Sequence, residues 1–188
     1  MKPGFITTAL ALIIPFSFIP SAHARVLFEL GVHTGGDELI LVDESTMATE
    51  STKAGGLYSL ALGGTLEFTD NFEAQFSFGI KSGSNYSSEN EASWVRYPLN
   101  ALIFYHTEDV RLGLGATVHF VPEFKVSGST KNASSTYKEA IGGLLEIDYR
   151  LTGEFYLGLR YTAIQYVRES DNRSFDGSSV GLLLLLLI

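Results

Sequence analysis

Apolar and polar residues alternate along most of the chain, in runs separated by turn or loop residues. In the run Phe72–Lys81 every second residue from Phe72 to Ile80 is apolar, and the residues between them are polar or glycine. This period of two predicts a β-strand with one apolar face, because a helix repeats about every 3.6 residues. The chain contains eight such runs: Val26–Gly36, Gly56–Phe68, Phe72–Lys81, Ser93–Tyr105, Val110–Phe120, Tyr137–Tyr149, Phe155–Val167 and Ser179–Ile188.

The connections between the runs alternate in length. Three are tight polar turns, at Thr69–Asn71, His106–Asp109 and Arg150–Gly153. The long polar connections are Asp37–Ala54, Ser82–Ala92, Pro122–Thr136 and Arg168–Gly177. Short turns at one end and long loops at the other are typical of an outer-membrane barrel whose loops face outside. The pattern predicts an all-β, eight-stranded antiparallel up-and-down transmembrane β-barrel with both termini at the periplasmic end.

The second face of the runs carries charges, which decides between a membrane barrel and a soluble one. A dry interior lined by charges on seven strands would cost a soluble calyx a large desolvation energy. These charges could instead form the wet exterior of a lipocalin-like carrier with an apolar interior, which remains the alternative. The charged set is Glu29, Glu67, Glu73, Lys81, Arg96, Arg111, Glu146, Asp148 and Arg160.

Glycines and aromatic residues favour the membrane barrel. Glycine is frequent on the charged face, where small residues leave space inside a narrow barrel but would weaken a solvated strand. These glycines are Gly31, Gly63, Gly79, Gly113, Gly115, Gly142, Gly158 and Gly181. Aromatic residues on the apolar face flank the short turns, as in a periplasmic girdle. They are Phe68, Phe72, Tyr105, Tyr149 and Phe155.

An eight-stranded barrel is only wide enough for its interior to be filled by side chains. We therefore expect the nine charges to form a near-balanced structural network that plugs the lumen and leaves no open diffusion pore. Pro98 interrupts the fourth run, and since proline lacks an N–H it predicts a bulge or a broken hydrogen bond there.

The first 24 residues are typical of a cleaved signal peptide, with Lys2, an apolar segment from Phe5 to Pro20 and the small-x-small site Ala22-His23-Ala24. We expect residues 25–188 to form the barrel domain. Without residues 1–24 the chain has 12 basic and 21 acidic residues, a net charge of −9. That charge argues against a nucleic-acid partner, and the lack of cysteine excludes a lipid-anchored lipoprotein and disulfides.

No catalytic, cofactor or metal site is predicted. His33 and His119 fall on the lumen face and His106 in a turn, so none is placed to serve a lipid-facing serine. The acidic pairs Asp37-Glu38 and Asp43-Glu44 are the nearest approach to metal ligands, and we interpret them as a solvated loop. A weaker alternative is that acidic loops gather divalent cations near lipopolysaccharide.

The alternating strands with short turns opposite long loops resemble the small outer-membrane barrels of the OmpA, OmpX and OmpW type. Phe175–Leu182 also resembles the start of the last strand in uncharacterised proteobacterial barrel proteins. The resemblance implies a monomer in contact with outer-membrane lipid and lipopolysaccharide, assembled by periplasmic chaperones and the barrel-assembly machinery. Family members usually end in an aromatic residue, whereas here Leu182–Leu187 and Ile188 end the chain, and we interpret this segment as the closing strand.

For function the sequence predicts a non-enzymatic protein that is structural, adhesive or receptor-like through its four outer loops. The first alternative is a carrier of a small apolar molecule, through a lateral opening of a membrane barrel or inside a soluble calyx. A lipid-modifying enzyme, a hydrolase or transferase of lipid A or phospholipid acyl chains, is the third hypothesis.

Overall fold

The computed structural model describes residues 23–42, 49–86, 90–128 and 132–188, and this part of the chain is all β. Residues 1–22 of the predicted signal peptide lie outside it, so that prediction stays a prediction. The strands are β1 Ala24–Thr34, β2 Glu38–Val42, β3 Thr49–Lys53, β4 Tyr58–Thr69, β5 Phe72–Tyr86, β6 Asn90–His106, β7 Val110–Gly128, β8 Asn132–Thr136, β9 Ala140–Thr152, β10 Phe155–Val167, β11 Ser174–Asp176 and β12 Ser179–Leu187.

Eight of these strands close an antiparallel barrel. Pairing runs from β1 through β4, β5, β6, β7, β9 and β10 to β12. Strand β12 returns to β1 in an unbroken register from Leu27↔Leu187 to Thr34↔Val180. The eight-stranded up-and-down barrel is therefore confirmed, and the leucine-rich segment is its closing strand as predicted. Within the described residues no helix is long and apolar enough to cross a membrane.

The strands continue beyond their predicted ends into the segments that the sequence assigned to loops. The fifth run was predicted to end at Phe120, whereas β7 continues to Gly128, and β5 and β6 are similarly extended. The first loop contains the β2–β3 hairpin, and β11 in the fourth pairs with β10. The loop prediction was wrong here because these outer parts are rich in polar residues, and a bulge in β7 moves its apolar side to the interior, where Phe124 is buried.

The sixth run begins later than predicted. Tyr137 makes only an isolated bridge to Arg168, and the barrel strand β9 starts at Ala140. The mismatch is of the size expected for element ends, which sequence patterns place least accurately.

Pro98 lies at an irregularity, as predicted. The β5–β6 ladder lacks the two pairs between Phe78↔Leu99 and Lys81↔Arg96. On its other side β6 shifts register against β7 between Val95 and Tyr97. The extra residue of that bulge lies on β7, where Val121 has a φ of 45°.

The barrel has an apolar outside and a charged inside. Outward residues such as Leu114 and Ile141 are 66% and 77% exposed, whereas Glu73 and Arg96 are fully buried in the lumen. The predicted aromatic girdle is confirmed, since all five of its rings are exposed beside the short turns and Phe72 lies 5.4 Å from Tyr105. A continuous apolar exterior with a buried charged interior fits hydrocarbon around the barrel and not water.

Candidate functional site: the filled lumen

The lower lumen, towards the short turns, is centred on Arg160. Its Nη1 and Nη2 donate to both oxygens of Glu29 at 2.8 and 2.7 Å, and its Nε donates to Glu146 at 2.5 Å. All three side chains are at least 95% buried. This fork-shaped pairing is the strong form of a charge-assisted hydrogen bond.

Arg111 forms a second centre in the same layer. Its Nε lies 2.8 Å from Glu73, and its Nη2 donates to Gln75 at 2.7 Å. Asp148 lies 3.7 Å away, within electrostatic contact. The guanidinium also stacks 4.0 Å above the ring of Phe104, and that ring occupies the space over Gly113, where a Cβ would come within 2.6 Å of it.

Arg25 adds a fifth base that the predicted set did not include. One of its nitrogens lies 2.7 Å from both Glu67 and Glu73, at the lower mouth of the barrel. Glu67 is at the edge of the lumen, with its side chain 29% exposed. Ligand atoms of Glu67, Glu73 and His106 lie within 4.8 Å of one another, a metal-like cluster. Because Arg25 occupies both carboxylates, we interpret this cluster as an ion pair.

Lys81 and Arg96 lie apart from these acids. The sequence grouped them with the carboxylates, but neither makes an ion pair with any described residue. They are 4% and 0% exposed and face each other across β5 and β6. The lower lumen therefore holds five acids and three arginines, and the upper lumen holds two cations.

An aromatic cluster closes the upper end of the barrel. The ring of Trp94 meets those of Tyr137 at 4.9 Å and Tyr166 at 5.2 Å, and Tyr137 meets Phe175 at 5.8 Å. The indole N–H of Trp94 donates to the Ala54 carbonyl at 2.9 Å, which ties the first loop onto the cluster. No sequence pattern predicts this cluster, because its members come from four distant segments.

The first loop is also joined to the fourth. The Asp37 N–H donates to the Asp176 carbonyl at 2.7 Å, and the Asp176 N–H donates to the Asp37 carboxylate at 2.8 Å. In the fourth loop Arg168 donates twice to Asp171, at 3.0 and 2.7 Å. These bonds hold the pKa of the exposed Asp171 carboxyl at about 2. The acidic pair Asp43-Glu44 lies outside the described residues.

Apolar side chains fill one sector of the lumen. Leu183, Leu185 and Leu187 point inward from β12 and pack with Leu27 and Tyr156. This explains why the last strand is apolar on both of its faces. The interior is thus only partly ionic.

Two histidines lie above the Arg160 centre. His33 Nε2 is 2.8 Å from the Ser59 hydroxyl, and His119 Nδ1 is 2.5 Å from the Tyr166 hydroxyl. The sequence did not pair His33 with Ser59, because the two are on neighbouring strands 26 positions apart. The His33–Ser59 distance suits a nucleophile and its base, but His33 Nδ1 has no hydrogen-bond partner in the described part of the chain to orient it.

Cavities of different sizes lie inside and outside the barrel wall. One of about 20 Å³ lies in the lumen between the Arg160 centre and the upper cations. Another of about 260 Å³ lies at the upper mouth, beside His33, Thr52, Lys53 and Gly56. An apolar groove of about 490 Å³ lies on the outside of β12, β1 and β4, lined by residues that include Leu30, Tyr58 and Leu182.

The fold is similar to that of solved outer-membrane proteins. The attachment invasion locus protein Ail of Yersinia pestis superposes with a TM-score of 0.55 at 14% identity, covering 87% of this chain and 96% of Ail. Neisserial surface protein A has a TM-score of 0.53 at 12% identity, covering 89% and 99% of the two chains. No protein-family model and no curated protein matches the sequence.

These observations define the class. The chain is an eight-stranded transmembrane β-barrel of the outer-membrane type, with a lipid-facing exterior and a lumen filled by its own side chains. The identities with Ail and Neisserial surface protein A are low, so the likeness is one of fold.

Proposed function

We propose that this protein is a closed barrel of the bacterial outer membrane that acts through its outer hairpins as an adhesive or receptor-like protein. The proposal rests on the observation that the lumen is closed at two levels. Ion pairs around Arg160 and Arg111 fill the lower half, and the Trp94 aromatic cluster covers the upper end. A barrel with such a lumen offers no continuous water path.

Electrical recording tests the closure. Purified protein reconstituted in a planar lipid bilayer should give no steady conductance, with an open general porin in the same bilayer as the positive control. A large, steady open state would contradict the proposal. Brief, rare openings would not meet that criterion, since a diffusion pore conducts continuously.

The outer hairpins provide the surface for a partner. Strand β7 has 19 residues, whereas about 9–11 residues cross a membrane. β7 therefore continues well above the lipid, where it pairs with β6 on one side and with β8 on the other. Hydrogen-bonded hairpins present side chains with less ordering cost on binding than free loops would.

The charge of the four long connections favours a basic or neutral partner. Asp37–Ala54, Ser82–Ala92, Pro122–Thr136 and Arg168–Gly177 together carry 11 acidic and 5 basic residues. Ail has been solved in complex with the heparin analogue sucrose octasulfate. A polysulfated ligand would be repelled by this net negative charge, so we do not extend that ligand class to this chain.

Binding measurements test the role of the hairpins. The protein in nanodiscs of neutral lipid should bind a basic polypeptide and should not bind heparin. The matched variant replaces residues 86–91 and 127–132 each by Asn-Gly, a two-residue hairpin turn, and should fold but bind less. Heparin binding by the native chain, or unchanged binding by the shortened variant, would refute the proposal.

A carrier with a lateral opening is the second candidate, and the 490 Å³ groove is the observation that favours it. The wall behind that groove is closed, because β1 pairs with β4 without a gap from Ala24↔Leu66 to Val32↔Tyr58. The groove is thus a surface for an acyl chain and offers no route into the lumen. An enzymatic role is disfavoured because His33 is buried inside the barrel and its Nδ1 has no partner among the described residues to orient it.

A further inference from the structure

Two buried cations in the upper lumen lack a counter-ion among the described residues. Lys81 and Arg96 occupy directly opposed positions on β5 and β6, and like charges in that arrangement repel. The three guanidinium nitrogens of Arg96 are buried, and within the described residues the Tyr166 hydroxyl is the hydrogen-bonding group beside them. The Tyr166 hydroxyl beside Arg96 is bonded to His119.

The acid near Lys81 is already hydrogen-bonded to another cation. Glu29 is the only carboxylate within electrostatic reach of Lys81 among the described residues, and both of its oxygens accept hydrogen bonds from Arg160. The Lys81 ammonium has three donors and, among the described residues, one hydrogen-bond acceptor, the Ser179 hydroxyl at 3.0 Å. A buried charge without a partner costs free energy, which an ion of opposite sign would offset.

A cavity of about 20 Å³ adjoins Lys81. His33 and His119 line it together with Lys81, and so do Arg160 and Glu29. Arg96 lies within electrostatic reach of both histidines. A cavity of this size holds an occupant about as large as one water molecule, so a halide fits and a phosphate or a sugar does not.

We propose that this cavity, hereafter called the chamber, binds a single small inorganic anion of the halide class. The anion is held by Lys81 and the imidazoles of His33 and His119 and attracted further by Arg96. The rings of Trp94 and Tyr166, 5.4 and 5.9 Å from the Arg96 guanidinium, stabilise that cation in part. They do nothing for Lys81, which meets no aromatic ring in the described chain. The anion neutralises positive charge of Lys81 and Arg96, which the acids of the lower lumen do not pair.

The first test is unfolding of the barrel in urea, followed by the fluorescence of Trp94, the only tryptophan of the chain. Sodium chloride is compared with sodium gluconate at constant ionic strength, because gluconate is too large for the chamber. Chloride at 100 times its dissociation constant should lower the unfolding equilibrium constant about 100-fold. Equal stability in the two salts would overturn the proposal.

Matched variants separate the site from a general salt effect. Lys81→Met should remove the chloride dependence, whereas Lys138→Met, which changes an exposed lysine, should retain it. Equal chloride dependence in all three proteins would refute the assignment. If Lys81→Met does not fold, bromide-soaked crystals of the native protein decide, since anomalous scattering must show a peak between Lys81, His33 and His119. A chamber without bromide would overturn the proposal.

Discussion

The stability of the lower lumen depends on individual charged side chains, with Arg160 the most connected of them. Three of its nitrogens each donate one hydrogen bond to a carboxylate oxygen, so the loss of its charge leaves two buried acids unpaired. Arg25 shows the limit of sequence reasoning at this scale. It directly follows the predicted cleavage site, and its part in the lumen depends on β1 being paired with β4 and bringing it beside Glu67.

Arg160→Met should destabilise the barrel strongly. Since Glu29 and Glu146 would remain buried without a cation, we expect a loss of about 3–5 kcal/mol in the free energy of unfolding. Urea titration of the protein in lipid vesicles measures it. The exposed Lys53→Gln serves as a control and should change stability by no more than about 0.5 kcal/mol. A similar small change for both variants would show that the Arg160 pairs contribute little.

The carboxyl of Asp171 should titrate near pH 2 in the folded protein. Its pKa is lowered chiefly by the hydrogen bonds from Arg168. Because the pKa is lower in the folded protein, this pairing stabilises the folded loop at pH values above the ordinary carboxyl pKa. That stabilisation is lost as the pH falls through about 2. Arg168→Gln should return the pKa towards about 3.9, which carboxyl chemical shifts in NMR would detect. Arg173→Gln keeps both hydrogen bonds from Arg168 and should leave the titration unchanged.

At the scale of elements, the barrel strands were predictable and the outer hairpins were not. The run Phe155–Val167 matches β10 residue for residue, because lipid on one face and packed side chains on the other impose strict alternation. The extensions of β5 and β6 are short and mostly polar, and beyond its bulge β7 alternates in the opposite sense, with Phe124 inside and Lys125 outside. The irregularity at Pro98 was predictable because a residue without an N–H interrupts the hydrogen-bond ladder of any sheet.

Val121 bends β7 at the bulge beside Pro98, and its φ of 45° is unfavourable for a β-branched residue. Val121→Gly should therefore stabilise the barrel by about 0.5–1 kcal/mol, the left-handed penalty being larger than the entropic cost of glycine. Val118→Gly, on the regular part of the same strand, has no such strain to relieve and should destabilise it. The comparison uses equilibrium unfolding in urea. If Val121→Gly lost as much stability as Val118→Gly, the claim that the backbone at Val121 is strained would be contradicted.

On the scale of the whole molecule, the barrel is inverted relative to a soluble protein, and this orientation can be tested directly. Leu114 lies outward near the middle of the membrane band and is 66% exposed. Leu114→Arg should cost about 2–4 kcal/mol in vesicles, as charges do at the bilayer midplane. Ser127→Arg, on the same strand above the lipid, should be nearly neutral. A neutral Leu114→Arg would indicate water around the barrel.

The amino-acid sequence by itself determined the eight strands, the side of each strand that meets lipid and most of the charged residues in the lumen, because a two-residue period records which side chains share a face. It could not determine partners across the lumen, since these depend on register and on the height of each residue along the barrel axis. Tertiary structure alone decided that Arg160 takes Glu29 and Glu146, that Arg25 joins Glu67, and that Lys81 and Arg96 are left together without an acid. Closing the barrel brings Arg160 and Glu29, 131 positions apart, into hydrogen-bond contact, and no local pattern carries that information.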